Sequence, residues 1–279
     1  MQITMCYPKG RKKAVTFSYD DGVAQDERLI EILNRHHLKG TFNINGGMIA
    51  EKDAVGGKGR LSRRQLQKLF ADSVHEVAVH GYNHPFLNEL EISNVTSEVL
   101  LDRLELEKTF GRFVRGMAYP YGDYTDEVVD CLKACGIVYA RTVTSTEGFN
   151  LPKDWLRMPA TCHHNNPRLF DIAERFLNTP RAPHYTCWLF YVWGHSYEFD
   201  NNDNWDRIEQ FAEKIGGQED VWYATNIEIY DYVDAYRQLR YNAEGTLVYN
   251  PTQIDVWIHC NGEIREIKAG EMVCLMETK

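Results

Sequence analysis

Ser18-Tyr19-Asp20-Asp21-Gly22 follows the alternating apolar run Ala14, Val15, Thr16, Phe17 and sets two adjacent carboxylates at the end of a strand. Neighbouring negative charges with no basic residue beside them repel each other unless a cation or a shared proton intervenes, and Gly22 lets the backbone turn sharply. On that chemistry Asp21 suits a metal ligand and Asp20 a group left free to move a proton; the plainer reading is an acidic turn, since Asp-Gly is a common turn dipeptide. A second cluster is His80-Gly81-Tyr82-Asn83-His84-Pro85. Gly81 and Pro85 disfavour a helix, so His80 is expected at a strand end and His84 in the turn after it. Neutral imidazoles ligate zinc and related ions; two loop histidines making hydrogen bonds is the alternative. Ala118-Tyr119-Pro120-Tyr121-Gly122 and Val192-Trp193-Gly194-His195 each close a further apolar run. An ordinary turn and a structural histidine are their plain readings, but all four segments share one kind of place.

That place is set by the elements around them. Apolar runs of strand length recur at 14–18, 41–44, 76–80, 114–118, 137–141, 188–193 and 221–224. Helical patterns lie between and after them, including 26–37, a helix opened by the capping box Ser62/Gln65, then 93–110, 125–134, 166–177, 205–215 and 226–239. Seven strands each followed by a helix predict an α/β fold of parallel strands wound in one direction, and the length favours closure into a barrel. In such barrels function gathers at the C-terminal strand ends. From Gly245 onward short alternating stretches separated by Asn-Pro, Asn261-Gly262 and Ala269-Gly270 predict a small antiparallel β appendage. The expected units are therefore a barrel over 1–240 and the appendage over 241–279.

With these residues in hand the chain resembles the NodB-type polysaccharide deacetylases, carbohydrate esterase family four. Their Thr-Phe-Asp-Asp-Gly stands here as Ser18 to Gly22, their His-Ser/Thr-x-x-His as His80 to His84, their Pro-Tyr-Gly as Pro120 to Gly122, and their late Leu-x-His histidine as His195. The resemblance implies a distorted (β/α)7 barrel that holds one divalent ion between Asp21, His80 and His84. Zinc is the expected ion, with cobalt, nickel, manganese or iron as alternatives. It further implies Asp20 as general base, His195 as general acid and the Tyr121 N–H as an oxyanion donor. The implied substrate is an acetylated sugar or oligosaccharide, N-acetyl before O-acetyl. Tyr82, Tyr119, Pro120 and Trp193, with Tyr197, crowd the expected rim; stacking on sugar faces suits the aromatics, although core packing explains them equally. Two departures stand out. The family's arginine beside the catalytic Asp is replaced by Ala118, so Arg141 or Arg157 is expected to reach Asp20 from a neighbouring strand end. The family's fourth motif has no clear counterpart beyond Asp154-Trp155, and His163 and His164 lie in a loop that either lines the cleft or stays on the surface.

A formal charge of −9 argues against nucleic acid or an anionic membrane surface as partner. The N-terminal residues hold no apolar secretory core and no run reaches membrane-span length, which leads to the expectation of a cytoplasmic protein. Seven cysteines, mostly within apolar segments, read as reduced and buried; Cys131 and Cys135 share a helix face but have no second pair for a metal. Three other readings compete with deacetylation: hydrolysis of another small amide such as a ureide, a non-haem iron oxygenase built on the same two histidines and one carboxylate, and an inactive carbohydrate-binding relative.

Overall fold

The computed structural model describes residues 3–55 and 59–276. After the short β1 (Ile3–Cys6), parallel strands and helices alternate: β2 (Lys13–Asp20), α1 (Asp26–Arg35), β3 (Gly40–Ile44), α2 (Arg63–Phe70), β4 (Glu76–Val79), α3 (Ile92–Phe110), β5 (Gly116–Ala118), α4 (Asp126–Ala134) and β6 (Tyr139–Ser145). The chain continues through β7 (Met158–Ala160), β8 (Cys162–His163), α5 (Leu169–Asn178), β9 (Trp188–Gly194), α6 (Tyr197–Asn201), α7 (Trp205–Ile215), β10 (Val221–Tyr223) and α8 (Asn226–Arg237). Alternation along β2 sorts its side chains. Val15, Phe17 and Tyr19 join the apolar layer with Leu29, Ile32 and Leu33 of α1 and Phe211 and Ile215 of α7, whereas Thr16, Ser18 and Asp20 enter hydrogen bonds inside the barrel.

The sheet runs in the order β7-β6-β5-β4-β3-β2-β9-β8, every pair parallel. Its two named ends are one piece of chain. Met158–Ala160 pairs with β6, and after a single residue Cys162–His163 pairs with β9. Thr161 binds both sides, its N–H donating to the Tyr191 carbonyl at 2.8 Å and its carbonyl accepting from the Glu147 N–H at 2.8 Å. The segment thus closes a ring of seven parallel strands. These are not the seven that periodicity predicts. The run 221–224 forms β10, which pairs only with Lys13 to Val15 at the start of β2, while the closing strand was hidden by Pro159 and the polar Thr161–Asn166, which break the apolar pattern.

β10 delivers α8 to the far end of the barrel. Thr225 and Glu228 form a capping box there, and Asn226 enters the lumen. Its amide donates to the Tyr191 hydroxyl at 2.7 Å and accepts from Thr16 at 3.0 Å. The Ile227 N–H, Thr41 and Tyr139 all donate to Glu76, whose carboxyl burial pushes up to about 7. Barrels of this kind are commonly filled by branched apolar side chains; this one carries a hydrogen-bonded polar column instead.

The tail forms β11 (Arg240–Tyr241), β12 (Leu247–Tyr249), β13 (Val256–Cys260), β14 (Glu263–Ile267) and β15 (Met272–Cys274), in two antiparallel three-stranded sheets. Asn261-Gly262, both at positive φ, makes the tight turn between β13 and β14. One sheet takes in the N-terminus, since β1 pairs with β13 in the register Ile3↔Cys260; the outermost residues of both expected units, 1–2 and 277–279, lie outside the described residues. No disulfide joins the described cysteines, and only Cys274 among them is exposed. No helix among the described residues is long and apolar enough to cross a membrane.

Candidate metal centre with its flanking acid and base

The strand-end residues meet at the C-terminal mouth of the ring. Asp20 is the last residue of β2; Asp21 and Gly22 then take positive φ, 88° and 64°, and swing the second carboxylate across the mouth. His80 follows β4, and Gly81 and His84, also at positive φ, fold the turn back so that both imidazoles face Asp21. Asp21 Oδ1 lies 4.0 Å from His80 Nε2 and 3.8 Å from His84 Nε2, and one ligand atom from each residue lies within 4.8 Å of the other two. His80 Nδ1 donates to the Ala118 carbonyl at 2.8 Å, which leaves the Nε2 lone pair facing the cluster, buried and without a hydrogen-bond partner. Burial, against the pull of the nearby carboxylates, brings the His80 imidazole down to about 4, so it is neutral and ligand-ready at neutral pH. An orphaned buried acceptor is costly, and two imidazole nitrogens with one carboxylate are the donor set of a divalent transition ion. The residues fit the ion that the resemblance implies.

The histidine turn is held from behind. Asp102 of α3 accepts the N–H of His80 at 2.9 Å and of Gly46 at 2.5 Å. Asp21 is anchored by Arg60, whose guanidinium bonds its backbone carbonyl and lies 3.2 Å from Oδ1.

Asp20, 2 % exposed, faces the same cluster. Its Oδ2 accepts from Arg141 Nη2 and stands 3.8 Å from His80 Nε2 and 3.9 Å from His195 Nε2, while Oδ1 accepts from Asn43 at 2.8 Å. Burial alone would raise its pKa; the Arg141 guanidinium, His80 and His195 outweigh that and hold it down at about 2. Of the two arginines expected as substitutes for the family's missing one, Arg141 is therefore the partner. It is 1 % exposed, packs over the Trp193 ring at 4.3 Å, and sits in register opposite Ala118 on the adjacent strand. Arg157 instead pairs with Asp126 at the start of α4 and with the nearby Asp154.

Residues 7–140 match the family model for polysaccharide deacetylase. Over that span, just under half of its length, the chain is similar to the polysaccharide deacetylases. It is 25 % identical over 126 residues to the peptidoglycan-N-acetylglucosamine deacetylase PgdA of Listeria monocytogenes, covering 44 % of this chain and 25 % of that one. A Mycobacterium smegmatis structure assigned to the polysaccharide deacetylases superposes with a TM-score of 0.62 at 18 % identity, over 84 % of this chain and 94 % of the other. A carbohydrate esterase family four pseudoenzyme from Bacillus anthracis superposes with 0.51 at 19 % identity, over 82 % and 68 %. At such identities the structures speak for the fold alone. The chain spans between about a quarter and three fifths of the length of the curated relatives it matches.

His195, beyond the matched residues, is oriented by partners that no motif in the sequence marks. Glu198, one turn later in α6, places Oε1 3.3 Å from His195 Nδ1, and the hydroxyl of Ser196 donates to buried Asp26 at 2.6 Å, which ties this loop to the one after β2. Asp154, the weak candidate for the fourth motif, caps Leu156 and pairs with Arg157 instead. The i,i+3 spacing of His195 and Glu198 at a helix start was the available clue. His163 and His164 converge on the other oxygen, with Nε2 atoms 3.1 and 2.8 Å from Glu198 Oε2. This second group of potential ligands differs from the first in its tautomer. His163 Nδ1 accepts the Asn165 N–H at 3.1 Å, so in the neutral ring Nε2 carries the proton and has no lone pair for an ion.

Three of the expected sugar-contacting residues require correction. Tyr119 and Pro120 are buried, the Tyr119 hydroxyl spent on the Leu156 carbonyl at 2.8 Å, and Trp193 is buried beneath Arg141. Trp193 fills an inward position of β9, whereas Tyr119 and Pro120, in the turn after β5, pack into the wall. Tyr82 is half-buried and Tyr121 is 51 % exposed. Tyr121 stacks at 3.8 Å on Phe86, itself 40 % exposed, and meets His84 edge-on. Its backbone takes φ 58°, and its N–H has no partner among the described residues.

Proposed function

We propose that this chain is a metal-dependent hydrolase that removes the acetyl group from an N-acetylated sugar, with an exposed oligosaccharide as the substrate class. One observation carries the reading: Asp21, His80 and His84 converge on a common point, and Asp20 and His195 reach that point with Oδ2 and Nε2 3.9 Å apart. A divalent ion bound by the three ligands, zinc by preference for this donor set, supplies Lewis acidity to the acyl oxygen and acidifies water. Asp20, kept ionised by Arg141, takes the proton of the attacking water. Burial alone would lower His195; its hydrogen bond to Glu198 and the charges of Asp20 and Asp21 outweigh that and raise it above its ordinary value, and its Nε2 carries a proton for the departing amine. The unpartnered Tyr121 N–H donates to the developing oxyanion. The deacetylase names of the relatives support the acetyl substrate. A facial-triad oxygenase has no use for Asp20 and His195, which favours hydrolysis.

His84→Ala tests the ion directly. Elemental analysis is expected to find about one divalent ion per wild-type chain and under a tenth of that in the variant, with acetate release from chito-oligosaccharides lost in parallel. Full metal content in His84→Ala, or a wild type that releases no acetate when metal-loaded, overturns the proposal.

A further inference from the structure

A carboxylate one turn along a helix from its imidazole is a weak support on its own. Such i,i+3 pairs contribute little when exposed, and the carboxylate rotates freely. Glu198 is restrained further, because while one oxygen meets His195 the other lies between His163 and His164. His163 is the last residue of the closing strand, and His164, just beyond it, leaves the extended path, so that two consecutive rings reach one carboxylate with centroids 4.5 Å apart.

His164 is built to stay put. It is 1 % exposed and stacked between Tyr19 (5.6 Å, 23°) and Phe199 (4.2 Å, 30°). Its N–H donates to the Trp193 carbonyl at 2.8 Å, and Arg207 donates to its carbonyl at 3.0 Å. Gly194 lies against the ring, where a Cβ would come within 2.2 Å of Nδ1. His163 is fixed through its Nδ1 acceptor bond and stands edge-on to Trp193 at 4.7 Å. We propose that His163 and His164 are positioning residues for His195, acting through Glu198: with their Nε2 atoms at ion-pair distance from Oε2, outside hydrogen-bond alignment, they restrict the carboxylate's rotation, and Oε1 fixes the His195 ring with Nδ1 protonated and Nε2 turned toward Asp20. The other groups facing His195 are Asp20 and Asp21 at the end of β2 and the Tyr197 ring at 5.1 Å, and none of them bonds Nδ1. The inference rests on the proposed role of His195 as acid.

Two variants separate a polar role from packing. His164→Phe keeps a flat ring but removes the nitrogens; His164→Gln keeps a donor near the Nε2 position and gives up the ring. In the metal-loaded enzyme acting on chito-oligosaccharides, His164→Phe is expected to lower kcat about tenfold with KM within about twofold and metal content unchanged, and His164→Gln to stay within about threefold of wild type. Ring 15N shifts of His195 in its neutral form are expected to report the Nδ1–H tautomer in wild type and His164→Gln, and a mixture in His164→Phe. A wild-type tautomer and kcat in His164→Phe, or equal losses in both variants, overturns the inference. The tautomer is read without substrate, so a failed deacetylase assignment shows in the acetate assay alone.

Discussion

Asp20→Asn is expected to cut acetate release about 1,000-fold while the protein still carries its metal ion, within the range that general base catalysis supplies. Asp21, His80 and His84 stay as they are, so elemental analysis reads unchanged. The same substitution is also expected to destabilise. Both carboxylate oxygens accept hydrogen bonds, Oδ2 from Arg141 and Oδ1 from Asn43, and an amide offers only one acceptor, so its NH2 faces a donor whichever way it turns. Arg141 is then a buried charge without its counter-ion, a loss of roughly 3–5 kcal/mol when one partner of such a pair is removed. Activity must therefore be measured well below the melting transition. A folded, metal-loaded Asp20→Asn that retains more than a tenth of wild-type kcat would remove Asp20 from the chemistry.

Arg141→Met should be the other severe change. The carboxylate of Asp20 is left buried without a counter-ion, for a loss of about 3–5 kcal/mol by urea unfolding at pH 7. Part of that is visible as pH dependence. The pKa of Asp20 is depressed from 3.8 to about 2 in the folded protein, so the pair contributes stability that is present above about pH 4 and is lost as pH falls through about 2. The proton-linked part is about 2 kcal/mol, less than the mutational loss because the latter includes leaving a charge without its partner. Between pH 4 and 2 the stability of Arg141→Met should therefore fall less steeply than that of wild type. Arg141 and Ala118 are register partners on neighbouring parallel strands, with side chains on the same face. Adding Ala118→Arg to Arg141→Ala should recover at least tenfold in kcat/KM relative to Arg141→Ala alone. No recovery, with the double variant folded, would mean that the guanidinium does more at 141 than pair with Asp20.

Much of the site was legible because each of its parts is a local event. Asp20, Asp21, His80, His84, Tyr121 and His195 all follow strand ends marked by glycine or proline, and closure of parallel strands brings such ends together whatever the loops do. The Ser62/Gln65 capping box was legible for the same reason, since its partners are three residues apart. Long-range contacts were not. Nothing near Arg141 in sequence tells that its guanidinium, rather than that of Arg157, crosses the barrel to Asp20; only the β5–β6 register decides it. The closing strand was missed because it is short on each side and polar beyond Cys162, and with it went the part played by His163 and His164. Glu198 was overlooked because a glutamate in a surface helix is ordinary until three imidazoles are found around it. The aromatic residues misled in the opposite direction: Trp193 is an inward position of β9 and Tyr119, just past β5, joins the apolar layer, and composition does not tell a packed ring from one that meets solvent.

The hoop of strands is fastened by a clasp only a few residues long, Met158 to His163, and the chain emerging from that clasp carries the imidazoles that brace Glu198. Asp21, His80 and His84 sit elsewhere, just beyond the ends of β2 and β4, the two staves that flank β3. On the proposed mechanism, heat or denaturant that springs the clasp is expected to cost turnover before it costs the ion, so an aged sample would be judged by turnover rather than by its metal content.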